Sequence, residues 1–143
     1  MPAVPTAFSA VLLAAGRSTR MGRDKALLEV DGVPLWRRQR DVLAAGAAEI
    51  FLSARPDQVW AQRAPGFAAV LHDALPESGP LMGITAALER ASHPHVAVLA
   101  IDLPAMSAAW FNSLVVASAT GVGIVGRRAD CFEPLAAIYP AEL

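Results

Sequence analysis

Apolar positions in this chain fall into short continuous runs separated by polar, glycine-rich and proline-rich links. Phe8 to Ala14, Glu49 to Ala54 and His95 to Ile101 are apolar at nearly every position, the pattern of strands covered on both faces. Between them, Leu35 to Ala45 follows Gly32-Val33-Pro34 and reads as a helix whose start Pro34 marks. Gln58 to Ala64 reads as a short helix, Phe67 to Leu71 as a short strand, and Gly83 to Ala91 and Ala108 to Ala117 as helices. Val122 to Val125 is a short strand, and Pro134 to Tyr139 is a last apolar segment. This alternation predicts an α/β fold: a three-layer Rossmann-like domain whose mostly parallel central sheet presents ligands at the carboxyl ends of its strands. A single domain over 1–143 is expected, since repeats and low-complexity linkers are absent.

Composition narrows the function classes. Hydrophobic residues make up 55% of the 143 residues and charged residues 17%, enough to bury both faces of a sheet. The formal net charge of −1 argues against nucleic acid as a partner, because the basic residues are local and do not spread over a face. No apolar run reaches the length of a membrane span, and Met1 to Ser9 lacks the features of a signal peptide, so a cytoplasmic location is expected. The single Cys131 excludes an internal disulfide and a cysteine-rich zinc site.

The chemistry is concentrated where the first apolar run ends. Ala15-Gly16 lets the backbone approach a ligand closely, and Arg17, Arg20, Arg23 and Lys25 then place four cations within nine residues. Lys25 is the only lysine in the chain. With Ser18, Thr19 and Gly22 interleaved, this loop suits a polyphosphate. It is not a Walker A loop, since five residues separate Gly16 from Gly22 and the lysine comes three later. Nor is it a dinucleotide fingerprint, since position 18 is serine.

Two further segments carry candidate site residues. In Ala97 to Pro104, a buried strand delivers Asp102 to the ligand-binding edge, where a hard oxygen ligand facing phosphates suits Mg²⁺. A turn or helix-capping acid is the competing role for Asp102, although Ser107 is better placed to cap the helix at Ala108. In Asp73 to Gly83, Gly79 and Gly83 allow close backbone approach, so the loop can lay amides and a carboxylate against a base or ribose. A plain turn explains the same prolines and glycines. His72, His93 and His95 lack metal-ligand spacing and read as turn or surface residues. Trp36, Trp60 and Trp110 read as packing, and Arg37, Arg38 and Arg40 as a solvated helix face, with a grip on an anionic pterin as the alternative.

The motifs together resemble the molybdenum cofactor guanylyltransferase family, whose nucleotidyltransferase domain is called MobA-like. The first match runs through Leu13-Ala14-Ala15-Gly16, Arg20-Met21-Gly22 and Lys25 to Gly32-Val33-Pro34-Leu35. Asp73 with Gly79-Pro80-Leu81-Met82-Gly83, Asp102-Leu103-Pro104 and Pro134-Leu135-Ala136-Ala137-Ile138-Tyr139 follow in the family's order. The resemblance implies a nucleotidyltransferase-like fold in which Leu13, Ala14, Ala15 and Gly16 line the nucleotide and Lys25 holds phosphate. It further implies that Ser53 and Asp73 contact the nucleoside, with Gly79 beside them, and that Asp102 binds nucleotide and Mg²⁺. The implied reaction moves GMP from GTP to the phosphate of molybdopterin and releases pyrophosphate, with Arg20, Lys25 and Asp102 as the catalytic set.

Departures from the family pattern leave alternatives open. Family members usually continue for several dozen residues past the Pro-Leu-x-Ala segment, so the domain is expected to be shortened at its C-terminus. Ser53 stands where asparagine is frequent, and Ala15 where a second glycine is frequent; Leu-Ala-Ala-Gly is common in cytidylyltransferases. The alternatives are therefore a CTP-dependent molybdopterin cytidylyltransferase or other nucleotidyltransferase, and a non-catalytic nucleotide- or pterin-binding module. Transient contact with molybdenum cofactor enzymes or biosynthesis proteins is the protein partnership that the resemblance implies.

Overall fold

The computed structural model describes residues 7–16, 24–72, 79–103, 106–118 and 121–141. Its core is β1 (Ser9–Leu13), which is buried at all five positions. The even-numbered side chains Ala10 and Leu12 and the odd-numbered Val11 and Leu13 enter two separate apolar clusters on opposite faces. That is the physical reason the run shows no polar alternation.

Strands β4 (Glu49–Ala54) and β6 (His95–Ala100) flank β1 in parallel, and β5 (Ala69–His72) extends the sheet in parallel beyond β4. Helices α1 (Leu35–Ala44) and α3 (Ala108–Ala117) contribute Leu35, Trp36, Leu43, Phe111 and Leu114 to one face. On the other face, α2 (Pro80–Arg90) contributes Ile84 and Ala87. Three layers result, as the alternation of apolar runs predicts.

The sheet has six strands in the order β5-β4-β1-β6-β8-β7, where β7 is Ile124–Arg128 and β8 is Cys131–Pro140. The last two depart from the expected short strand and apolar segment: they form a hairpin, and β8 runs antiparallel to β6. The connecting turn places Ala129 at φ 51°, a conformation glycine or asparagine usually signals, so alanine conceals the turn. A second, two-stranded hairpin joins β2 (Glu29–Val30) to β3 (Val33–Pro34) through Asp31 and Gly32, both at positive φ.

Other expectations shift in detail. Helix α2 begins at Pro80, three residues before the expected Gly83, because proline is already set for a first helical position. The Gln58–Ala64 helix is a 3₁₀ turn over Val59–Arg63. His95 is buried at the start of β6, with Nε2 3.2 Å from the Val122 carbonyl oxygen, whereas His72 is exposed. Cys131 is exposed. Ser107 caps α3 as expected, its Oγ accepting from the Trp110 amide at 3.3 Å. Among the described residues, no helix is long and apolar enough to cross a membrane.

Candidate nucleotide site

The connections set where a ligand can sit. From β1 the chain crosses to β4 and β5 on one side, then returns to β6 on the other, so the crevice at the carboxyl ends of β1 and β6 is a topological switch point. Leu13 lies in register with Ser53 of β4 and Ala100 of β6. The ladder continues one step: the Ala14 amide donates to the Ser53 carbonyl at 2.9 Å, and the Ile101 amide to the Leu13 carbonyl at 3.0 Å. Ala14, Ser53 and Asp102 are thereby delivered to one edge.

Exposure rises outward along the first stem. Leu13 and Ala14 are buried, Ala15 is half-buried and Gly16 is exposed. Asp102 is exposed in the turn after β6, and among the described residues its carboxylate has no hydrogen-bond or ion-pair partner. Ser53 is only 2% exposed, because α2 seats directly over it. A Cβ at Gly83 would lie 2.6 Å from Ser53 Oγ and 2.9 Å from Leu13 Cδ2, so glycine is what lets α2 close on this edge. Gly79 has open space around its Cα and instead supplies the turn into α2, at φ 77°.

Lys25 comes to the same edge through contacts that the sequence reading passed over. It opens the 3₁₀ turn Lys25–Leu27, whose preceding residue Asp24 accepts the Ala26 amide on Oδ1 at 3.0 Å. Asp24 Oδ2 accepts from Gln58 Nε2 at 2.9 Å and from Trp60 Nε1 at 2.8 Å. The same Gln58 Nε2 donates to the Ala14 carbonyl at 2.8 Å, joining the two stems of the basic loop. Arg55 Nη1 donates to the carbonyls of Ala15 at 2.6 Å and Gly16 at 2.8 Å. Trp60 stacks on Trp36 with centroids 5.9 Å apart, which ties this network to α1.

Thus Leu13, Ala14, Ala15, Gly16, Lys25, Ser53, Gly79 and Asp102 belong to elements that meet at one end of the sheet. Arg20, Asp73 and Pro104 lie outside the described residues. Asp24, Arg55 and Gln58 were missed; their signal was position, next to Lys25 and directly after the carboxyl end of β4. Arg37 and Arg40 are also more than a solvated face, since both guanidinium groups lie 5.4 Å from the Trp36 ring centroid.

Among the described residues, no cluster of three or more His, Cys, Asp or Glu could hold a metal. Asp102 is an exposed carboxylate at this edge and could serve as a single protein ligand to a cation.

Comparison with known proteins identifies the family and the fold. A probable molybdenum cofactor guanylyltransferase of Opitutus terrae is 45% identical over 144 residues, covering 98% of this chain and 70% of that protein. One of the same description from Natronomonas pharaonis is 35% identical, covering 92% of this chain and 67% of that protein. The crystal structure of Rv0371c from Mycobacterium tuberculosis shares the fold, with a TM-score of 0.79 at 23% identity over 96% of this chain and 73% of that one. The model of the MobA-like NTP transferase domain matches residues 10–143, and the chain belongs to that family.

Proposed function

We propose that this nucleotidyltransferase moves GMP from GTP to the phosphate of molybdopterin, with Mg²⁺ as its metal. The observation that carries the reading is the convergence of the Ala14–Gly16 stem, the Lys25 turn and the Asp102 turn at the carboxyl ends of β1 and β6. The guanylyltransferase relatives support guanine as the base.

A terminal phosphate oxygen of the acceptor attacks the α-phosphorus of GTP, forming a new P–O bond. The α–β bridging bond breaks, and its electron pair leaves with pyrophosphate. The attacking oxygen is already ionised, so positioning and charge compensation supply the catalysis and no side-chain nucleophile is needed. Lys25, with Arg20, offsets charge on the departing pyrophosphate. Asp102 would hold Mg²⁺, which when bound neutralises and orients phosphate oxygens. Leu13, Ala14 and Ala15 line the nucleotide, and Ser53, Asp73 and Gly79 serve the nucleoside side.

Calorimetric titration with GTP, CTP and ATP, each with Mg²⁺ or EDTA, tests the reading. Mg²⁺-dependent preference for GTP, followed by pyrophosphate release with molybdopterin, is the expected result. Preference for CTP moves the assignment to cytidylyl transfer, and absence of nucleotide binding rejects transfer by this chain.

A further inference from the structure

Asp24 presents a problem of charge. A carboxylate one residue before a phosphate-binding lysine opposes an anionic substrate, so it is expected only where its oxygens serve the structure. They are committed to three neutral donors: the Ala26 amide, Gln58 Nε2 and Trp60 Nε1. Gln58 is equally committed. At 3% exposure, its Oε1 accepts the Arg55 amide at 2.6 Å while Nε2 serves Ala14 and Asp24. A buried amide with donors and acceptor all engaged holds one orientation.

This network also decides which way the first stem faces. The carbonyls of Ala14, Ala15 and Gly16 all point to the segment after β4, where Gln58 and Arg55 take them. In a trans peptide, the next residue's N–H points opposite to the preceding carbonyl, and no cis bond is present among the described residues. The Ala15 and Gly16 amides are therefore turned away from that segment, so that donors rather than carbonyl lone pairs are offered on the other side of the stem. Successive amides aimed to one side attract anions.

We propose that Asp24, Gln58 and Arg55 are positioning residues for the triphosphate: they clamp the two stems of the basic loop so that the Ala15 and Gly16 amides and Lys25 are preorganised together. This inference rests on the nucleotidyltransferase reading above. Hydrogen bonds to a charged ligand are each worth roughly 10- to 100-fold in binding when preorganised, so each clamp variant should lose about that much affinity for the phosphate chain.

The experiment is calorimetric titration of the full chain and of Gln58→Ala, Asp24→Asn and the double variant with GTP, inorganic triphosphate and guanosine, with thermal melting of each. Expected are weaker binding of GTP and triphosphate, unchanged guanosine binding, and a double variant no worse than its worse single, since one unit is lost only once. If Gln58→Ala fails to fold, Arg55→Lys keeps the charge but not the two-carbonyl bridge, and the same selective loss is expected. Wild-type triphosphate affinity in the folded variants, or equal loss for guanosine and triphosphate, overturns the clamp. A wild-type chain that binds no GTP rejects the parent reading and the clamp's role with it.

Discussion

Gly83→Ala measures how closely α2 must seat on the nucleotide edge. The added Cβ would lie 2.6 Å from Ser53 Oγ, 2.9 Å from Leu13 Cδ2 and 3.1 Å from Ser53 Cβ. Relaxed carbon contacts begin near 3.5 Å, so the Leu13 contact alone is short by roughly 0.6 Å. Neither neighbour can retreat, because Ser53 and Leu13 are 2% and 8% exposed on packed parallel strands. The helix must lift instead. Alanine gains about 0.5–1 kcal/mol over glycine in a helix interior, whereas overpacking a buried contact costs about 1–3 kcal/mol. A net loss of up to about 2.5 kcal/mol follows, centred near 1 kcal/mol, which lowers a urea midpoint by roughly 0.5 M. The KM for GTP should rise as well, since Gly79, directly before the helix, shifts with it. Gly79→Ala is the contrasting change: nothing lies within 4 Å of its Cβ position, so only the strain of φ 77° is added. An unchanged or raised midpoint for Gly83→Ala, with unchanged KM, would refute the close seating of α2.

Three other outcomes are expected. Lys25→Ala should reduce turnover by about 10²- to 10³-fold with an unchanged circular dichroism spectrum, and wild-type turnover would remove Lys25 from the phosphate site. Asp102→Asn should raise the Mg²⁺ concentration needed for half-maximal GTP binding at least 10-fold; an unchanged Mg²⁺ requirement assigns the metal elsewhere. The third concerns Glu49, at the opposite end of the sheet. Burial disfavours its charge, yet donation from the Ser9 hydroxyl and from the Ser92 amide and hydroxyl, together with the His93 ring, holds its carboxyl below the ordinary 4.5. A depressed folded value means that this stabilisation is complete above the unfolded value and is lost as pH falls through the folded one. Denaturant titrations from pH 6 down to pH 3 should show wild type losing stability faster than Glu49→Gln, and parallel profiles would show that the Ser9–Glu49–Ser92 contacts contribute nothing to folding.

The parallel half of the fold was legible because each strand there had a distinctive signature. Glu49 to Ala54 and Ala108 to Ala117 match the observed elements residue for residue, the first as a run buried at five of six positions and the second because Ser107 caps it. The β7–β8 hairpin was not legible, and the reason is local. Its turn uses Ala129 at φ 51°, and Gly126 leaves room for the Trp110 ring, so neither turn chemistry nor strand periodicity is clear in the sequence. By contrast Asp31-Gly32 is an ordinary hairpin signal, hidden only because the strands on either side are two residues long.

The site shows the same division. The residues proposed to face the ligand announced themselves by type, a lysine without any other in the chain and a carboxylate ending an apolar strand. Residues that aim them did not, because a supporting side chain is defined by its partners rather than by its own chemistry. Gln58 is an unremarkable glutamine in the sequence, yet its one amide spans Ala14 and Asp24, residues ten apart that bracket the basic loop. Trp60 was rightly assigned to packing, since it stacks on Trp36, but its indole N–H also holds Asp24. An acid adjacent to a lysine proposed to hold phosphate is the kind of local conflict that marks such a support: its cost to substrate binding is tolerable only where the structure uses the charge for something else.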